Sequence, residues 1–347
     1  MQSTDCVSGR RFLCIGLDRY SRVSIFLGSM ELTKIDVLMI MILMKKSLLS
    51  VVSLCCLVLV GCSPVSGEIG TANETGTINV VVGVYPYAYM VETLGGDRVS
   101  VTNLAEGSVE PHDLELTARQ VRTLTTSDLI IYQRGFQPAL DAGVEQSQTP
   151  RIFDVTTVVP LENSGEGTLD QHIWLDPVLM ATIAEDVASL LIEIDPAGEE
   201  HYRANLEGLI TTLNRLDEDY TQGLATCERR EFLVEHAAFG YLAQRYNLTQ
   251  ISVKGVNPDV EPSPGHLAQI YEEVELRGLT TIFYDNSSGA ELTPSGSTQS
   301  IADDLQLRIW PIDPLEQAPT QQVDHHNKYP DVMDMNLWSL RSANGCP

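Results

Sequence analysis

Basic residues are scarce in this chain. Its 347 residues hold 22 Lys and Arg against 47 Asp and Glu, a formal charge of −25. Nucleic acid is excluded as a partner, because it needs a basic face. The acidity fits a cationic partner, or a salt-rich or acidic setting where it aids solubility; a plain solvated surface would look the same. Catalytic signatures are missing too. There is no His-Glu-x-x-His helix, no Gly-x-Ser-x-Gly elbow and no Gly-rich phosphate loop. No internal repeat of 20–50 residues occurs, which excludes a solenoid or propeller. The apolar share of 43% allows a packed core and argues against wholesale disorder. The length suits about two domains of ~150 residues.

Cysteine is thinly spread. Of seven, Cys6, Cys14, Cys55 and Cys56 fall in or before a secretory leader at 44–61. Met44-Lys45-Lys46 is its positive start and Ser47 to Val60 its apolar stretch, too short and wrongly flanked for a membrane span. It ends Leu59-Val60-Gly61-Cys62, which resembles the lipobox of prokaryotic lipoproteins, with Cys62 as the lipidated residue. Residues 1–43 then read as an over-long N-terminal extension. Residues 1–61 carry seven Lys and Arg against four acids, so the remainder is near −28. Only Cys227 and Cys346 are left, one possible disulfide in a compartment where such bonds persist; their spacing excludes a Cys-based zinc knuckle.

Residues 62–77 read as a flexible tether. Ile78 to Val84 is a β-branched apolar run suited to a strand buried on both faces of a parallel sheet. Further strands are expected at 99–104, at Leu129 to Tyr132 and around Phe153. Helices are expected at 87–94, at 118–125 behind a Thr117 cap, and from Asp176-Pro177, with Asp as N-cap and Pro at the first helical position. Asp195-Pro196 repeats that start and opens about 30 residues of helical spacing, ~45 Å long. The α/β pattern then resumes, with strands at 232–234, 249–253, 281–284 and 307–310, a helix at 265–278, and a closing helix around Leu337 to Leu340. The expected fold class is α/β, with two parallel-type sheet domains joined by one long rigid helix. The first lobe is 78–194, the helix 195–226 and the second lobe 227–347.

Four side chains share one position type. His112, His172, His236 and Asp285 each follow a strand or enter a loop on the cleft side, where open α/β sheets hold ligands. Two precede the long helix and two follow it. Converging at a domain interface, three imidazoles and a carboxylate make a tetrahedral Zn²⁺ set; Mn²⁺ or Fe²⁺ is an option if the carboxylate binds through both oxygens. Four unrelated loop residues would leave the same trace. Four protein ligands fill the shell, whereas a catalytic zinc keeps a position open. A hydrolase would need a base over the metal, for which Glu115 or Glu235 could be put forward. His201 reads as a packing or solvated residue, His266 as exposed at a helix start, His325-His326 as a solvated loop or a secondary surface site, and Trp174 and Trp310 as core.

Taken in order, Tyr85-Pro86, Gly95-Gly96-Asp97-Arg98-Val99, Glu110-Pro111-His112-Asp113, His172-Ile173-Trp174-Leu175-Asp176-Pro177, Asp195-Pro196 with Tyr202 and Asn205, His236-Ala237-Ala238-Phe239-Gly240-Tyr241, Glu261-Pro262-Ser263 and Phe283-Tyr284-Asp285 span nearly all of 78–340. The chain resembles the metal-binding lipoproteins of ABC importers for zinc and manganese, the cluster that includes the zinc-uptake and treponemal-type binding proteins. That resemblance implies metal ligands at His112, His172, His236 and Asp285 and capture of Zn²⁺, or of Mn²⁺ in a manganese-type member. It also implies delivery to an ABC permease and its ATPase, by a monomer lipid-anchored at the outer face of the cytoplasmic membrane. It implies a binding protein and not an enzyme, although lipid-anchored relatives are also described as adhesins. Two departures stand out. Zinc-type members often carry a His-rich loop before the second ligand, and here Leu161 to Asp170 is short and has no His. Manganese-type members often use a carboxylate where His236 stands.

Overall fold

The computed structural model describes residues 76–107, 110–164, 168–286, 294–319 and 328–347. The expected extension, leader, Cys62, nearly all of the tether and His325-His326 lie outside them. Within 71–347, one compact unit, two four-stranded sheets are built alike. The first holds β1 (Ile78–Val82), β2 (Val99–Asn103), β3 (Leu129–Tyr132) and β4 (Ile152–Asp154), in the order β2-β1-β3-β4. The second holds β5 (Glu231–Val234), β6 (Thr249–Ser252), β7 (Thr281–Asp285) and β8 (Arg308–Ile312), in the order β6-β5-β7-β8. Every pairing is parallel. In each sheet the strand order reverses beside the first strand, so the crevice at the strands' carboxyl ends opens there.

Side-chain alternation explains the continuous apolar runs. Val80 and Val82 face the main core while Val81 faces a smaller one with Leu104, Ile130 and Leu140. Phe232 and Val234 likewise face the main core, and Leu233 a second small one with Ile270 and Ile282. Successive strand residues point to opposite faces, so a sheet covered on both sides needs apolar residues at every position.

The α-helices among the described residues are α1 (Tyr85–Gly95), α2 (Ala118–Thr126), α3 (Pro138–Gln146), α4 (Pro177–Ile194), α5 (Glu199–Gly223), α6 (Gly240–Arg245), α7 (Pro264–Arg277), α8 (Gly296–Leu305) and α9 (Tyr329–Asn344). Asp176 caps α4 by accepting from the Val178 and Leu179 amides, and Thr117 caps α2. The long helix is shorter than expected. Pro196–Gly198 forms a tight 3-10 turn before α5 begins, and α5 ends at Gly223. Its 25 residues span about 37 Å. It buries Tyr202, Leu209, Leu213, Leu216 and Tyr220 and packs along α1, α4 and α9. One apolar cluster therefore runs from β1 through α4 and α5 to β5 and α9. Burial of this kind yields about 25 cal/mol per Å², so a continuous core resists separation of the two sheets. Cys227 and Cys346 are joined by a disulfide, which ties the end of α9 to the segment entering β5. Among the described residues no helix is long and apolar enough to cross a membrane.

Candidate metal centre

Each donor is delivered by a loop at a strand's carboxyl end. His112 lies on the loop after β2. Gln137, at the start of α3, donates to both the Gly83 and Pro111 carbonyls at 3.0 Å, which pins that loop to the end of β1. The Phe136 ring stands 4.6 Å from the His112 ring. His172 precedes α4. Behind it runs a buried chain in which Tyr87 donates to Gln133 (2.5 Å) and Gln133 donates to the Gln171 carbonyl (2.5 Å) and side chain (2.8 Å). His236 lies two residues past β5, where the strand pairing has ended.

These three imidazoles converge. Their ring centroids are 5.0–5.9 Å apart, and the acid brought among them is Glu316. One donor atom from each of His112, His172, His236 and Glu316 lies within 4.8 Å of the others. The expected acid, Asp285, stands elsewhere. Its Oδ2 is 3.4 Å from His236 Nδ1, on the opposite side of that ring from the Nε2 that faces Glu316. The structure thus puts Glu316 in the convergent set where the sequence reading has Asp285. The reason is reach: Asp285 ends β7 and stays in its ladder with β8, whereas Glu316 sits four residues beyond β8, on a loop free to turn inward. The position rule that picked the histidines fits Glu316 as well, had the loop Asp313-Pro314-Leu315-Glu316 been read.

That loop is held hard. Asp313 exchanges two hydrogen bonds with Asn336 of α9 (2.9 and 2.7 Å) and accepts from the Leu315 amide (2.7 Å). Leu315 is buried at φ +62°, a left-handed conformation that costs a bulky L-residue about 1–2 kcal/mol. The strained residue directly precedes Glu316 and aims it. Trp174 donates to the Pro314 carbonyl (2.7 Å) and Tyr329 to the Trp174 carbonyl (2.6 Å), so Trp174, two residues past His172, is tied to the second half of the site.

Glu316 Oε1 faces Nε2 of His172 at 2.9 Å, of His112 at 3.4 Å and of His236 at 3.6 Å. These values straddle about 3.4 Å, the edge of a tetrahedron with ~2.0–2.1 Å metal bonds. All four are buried, with 8% of His112, 2% of His236, 1% of Glu316 and none of His172 exposed. His112 Nε2 and both ring nitrogens of His236 have no hydrogen-bond partner. Buried polar atoms are normally paired, and one cation bonded to the Nε2 atoms would satisfy the His112 nitrogen and one of the two on His236.

The electrostatics point the same way. Burial alone would depress the His172 pKa, but the Asp170 and Glu316 carboxylates at 2.8 and 2.9 Å outweigh it and push it up to about 9. Burial lowers the His112 pKa against the pull of Glu316. Burial would raise Glu316, yet His112 and His172 hold it well below the usual carboxylate range. Nearby, Glu110 is raised to about 8 by burial and by the charges of Glu316 and Asp285, and Asp313 to about 7 by burial and Asp285. Crowded acids that resist ionisation are relieved by a cation.

The remaining candidates lie apart. Glu115 is exposed, and Glu235 faces Lys254 at 3.9 Å, so neither stands in the convergent set. His201 faces the Gly95 carbonyl at 3.0 Å, a packing role, and His266, expected to be exposed, is half-buried with its ring nitrogen 2.9 Å from the Ser252 carbonyl. Trp174 is fully buried; Trp310 is half-buried against Trp338.

Two parallel α/β sheets, a long helix and a His₃Glu cluster between the sheets define a metal-binding protein of the solute-binding type. Residues 80–343 match the family model described as "Zinc-uptake complex component A periplasmic", and the chain belongs to that family. It is 27% identical to the high-affinity zinc uptake system protein ZnuA of Bacillus subtilis (strain 168), over 86% of this chain and 98% of that protein. It is also 27% identical to the zinc-binding lipoprotein AdcA of Streptococcus pneumoniae (serotype 4), where it spans 61% of the relative's length. Among solved structures it is similar to the Zn(II)-bound ZnuA-like domain of S. pneumoniae AdcA (TM-score 0.65, 27% identity, 78% of this chain and 99% of that one). It is similar, too, to the laminin-binding protein Lmb of Streptococcus agalactiae, a bifunctional protein with adhesin and metal transporting activity (TM-score 0.69, 26% identity, 77% of this chain and 99% of that one).

Proposed function

We propose that this protein is the extracytoplasmic solute-binding component of an ABC importer, and that it captures Zn²⁺ between His112, His172, His236 and Glu316 for delivery to a permease driven by its ATPase. The observation that carries this reading is the convergence of three imidazoles on one buried carboxylate, with nitrogens on two of the rings unsatisfied. Three nitrogen donors and one oxygen suit Zn²⁺ better than Mn²⁺, which prefers oxygen. Four protein donors leave a tetrahedral ion no open position, so the site suits capture and not hydrolysis. The histidine at position 236, where manganese-type relatives often have a carboxylate, favours zinc as well.

The wider reading places the chain at the outer face of the cytoplasmic membrane as a monomer, anchored through lipid on Cys62. Radiolabelled palmitate incorporated by the wild type but not by Cys62→Ala checks the anchor. Metal analysis of protein purified without added metal, followed by Zn²⁺ and Mn²⁺ competition, checks the cargo. One equivalent of zinc that manganese cannot displace is expected. Tighter Mn²⁺ binding, or no stoichiometric metal, would reject the reading. Hydrolytic turnover lost on chelation would replace it with an enzyme.

A further inference from the structure

We propose that Asp170 is a positioning residue for His172, and that Gly240 and Tyr241, which lie across the seam just after His236, hold it in place. The proposal rests on the metal-capture reading above. Asp170 is buried, and its Oδ1 accepts the His172 backbone amide at 2.9 Å and stands 2.8 Å from His172 Nδ1. An acceptor at Nδ1 keeps a proton there and leaves the Nε2 lone pair for a cation. It also fixes the ring's rotation and raises its basicity.

The carboxylate is fixed from the other half of the molecule. A Cβ added at Gly240 would come within 2.3 Å of Asp170 Oδ2. That is closer than real Cβ contacts, and the side chain it meets is short and already committed to His172. The backbone is fixed as well. The Asp170 amide donates to the Glu162 carbonyl (2.9 Å), and the Asp170 carbonyl accepts from the Tyr241 hydroxyl (3.2 Å). The same hydroxyl accepts from the Glu162 amide at 2.8 Å. Gly240 and Tyr241 open α6, the helix that follows His236. The chain that presents His236 therefore also sets the acid that orients His172, so the two halves of the cluster are aligned to each other and not only to their own sheets. Any side chain at position 240 would break that alignment while leaving all four donors in place.

The test is Zn²⁺ affinity by chelator competition at fixed pH, with His172→Ala as the control for the site itself. Asp170→Ala is expected to lose about 10–100-fold, the range for a partner behind a ligand. Asp170→Asn, whose side-chain oxygen still accepts from Nδ1, should recover most of the loss. Gly240→Ala should lose about tenfold or more alone, but less than about threefold when added to Asp170→Ala, because the methyl's target is then gone. A merely structural effect would add in full and would not be rescued by Asn. Full affinity in Asp170→Ala or Gly240→Ala, with binding lost in His172→Ala, would overturn this proposal and leave the metal site standing. Unchanged affinity in His172→Ala would overturn both. Should Asp170→Ala not fold, Gly240→Ala and Asp170→Asn decide the matter by the same criteria.

Discussion

The two halves of the metal centre are built on sheets of the same order, yet they hold their donors differently. In the first half, both ring nitrogens of His172 face carboxylates within 2.9 Å, and a chain from Tyr87 through Gln133 to Gln171 backs it. In the second half, neither nitrogen of His236 has a hydrogen bond, and Glu316 is aimed by a left-handed Leu315. His172 is held at both nitrogens without an ion, whereas His112 Nε2 and both nitrogens of His236 are left for one to satisfy. A binding protein gains from that division, because a donor already in register lowers the ordering cost of capture, while the unpaired nitrogens gain a partner from the ion.

The largest expected effect breaks the second half alone. The disulfide closes a loop with a sequence separation of 119, and in the chain-entropy picture its loss costs about 4–5 kcal/mol. Cys227→Ser with Cys346→Ser should therefore lower the unfolding temperature. Hydrogen exchange should quicken in β5 and α9 more than in β1 and β3; equal acceleration in both sheets would erase the asymmetry.

Next comes the choice of acid. Glu316→Gln turns the only carboxylate among the four into a neutral amide and should weaken Zn²⁺ by about 100-fold or more, beyond the 10–100-fold of a residue behind a ligand. Asp285→Asn should stay at or below the lower end of that range. The reverse order, measured by the same competition titration, would restore Asp285 to the first position.

A smaller effect follows from pH. The His172 pKa is raised from 6.5 to about 9, so in the metal-free protein at pH 7 the ring carries a proton between two carboxylates. Its contribution to stability is fully present below about 6.5 and is lost as pH rises through about 9. Metal must displace the Nε2 proton, so Zn²⁺ affinity should rise up to about tenfold per pH unit between 7 and 9 while the metal-free protein loses stability. Calorimetry in buffers of different ionisation enthalpy should find about one proton released near neutral pH. No proton release and a flat profile would contradict the pairing.

Much of this was legible in the residues. The runs Ile78 to Val84 and Leu129 to Tyr132 announced strands covered on both faces, and Asp176-Pro177 announced α4. The three histidines stood out because the chain has only seven and each lay beyond a strand or at a loop entering the cleft. Glu316 did not, because one acid among 47 carries no signal of its own. Asp285 ended a recognisable strand, whereas Glu316 hid in a proline-broken loop whose turn depends on Asn336 of α9. Helix α8 was missed for a related reason: Ser, Thr, Gln and Asp fill it, and only Thr298, Ile301 and Ala302 are buried. The role of Asp170 needed a glycine 70 positions away, a relation that no local pattern holds.

Zinc K-edge X-ray absorption on the metal-loaded protein tests the central claim most directly. Three imidazole nitrogens and a carboxylate oxygen at ~2.0–2.2 Å are predicted, with one imidazole lost in each of His112→Ala, His172→Ala and His236→Ala. A shell with fewer than three imidazoles, or one unchanged by those substitutions, would contradict it.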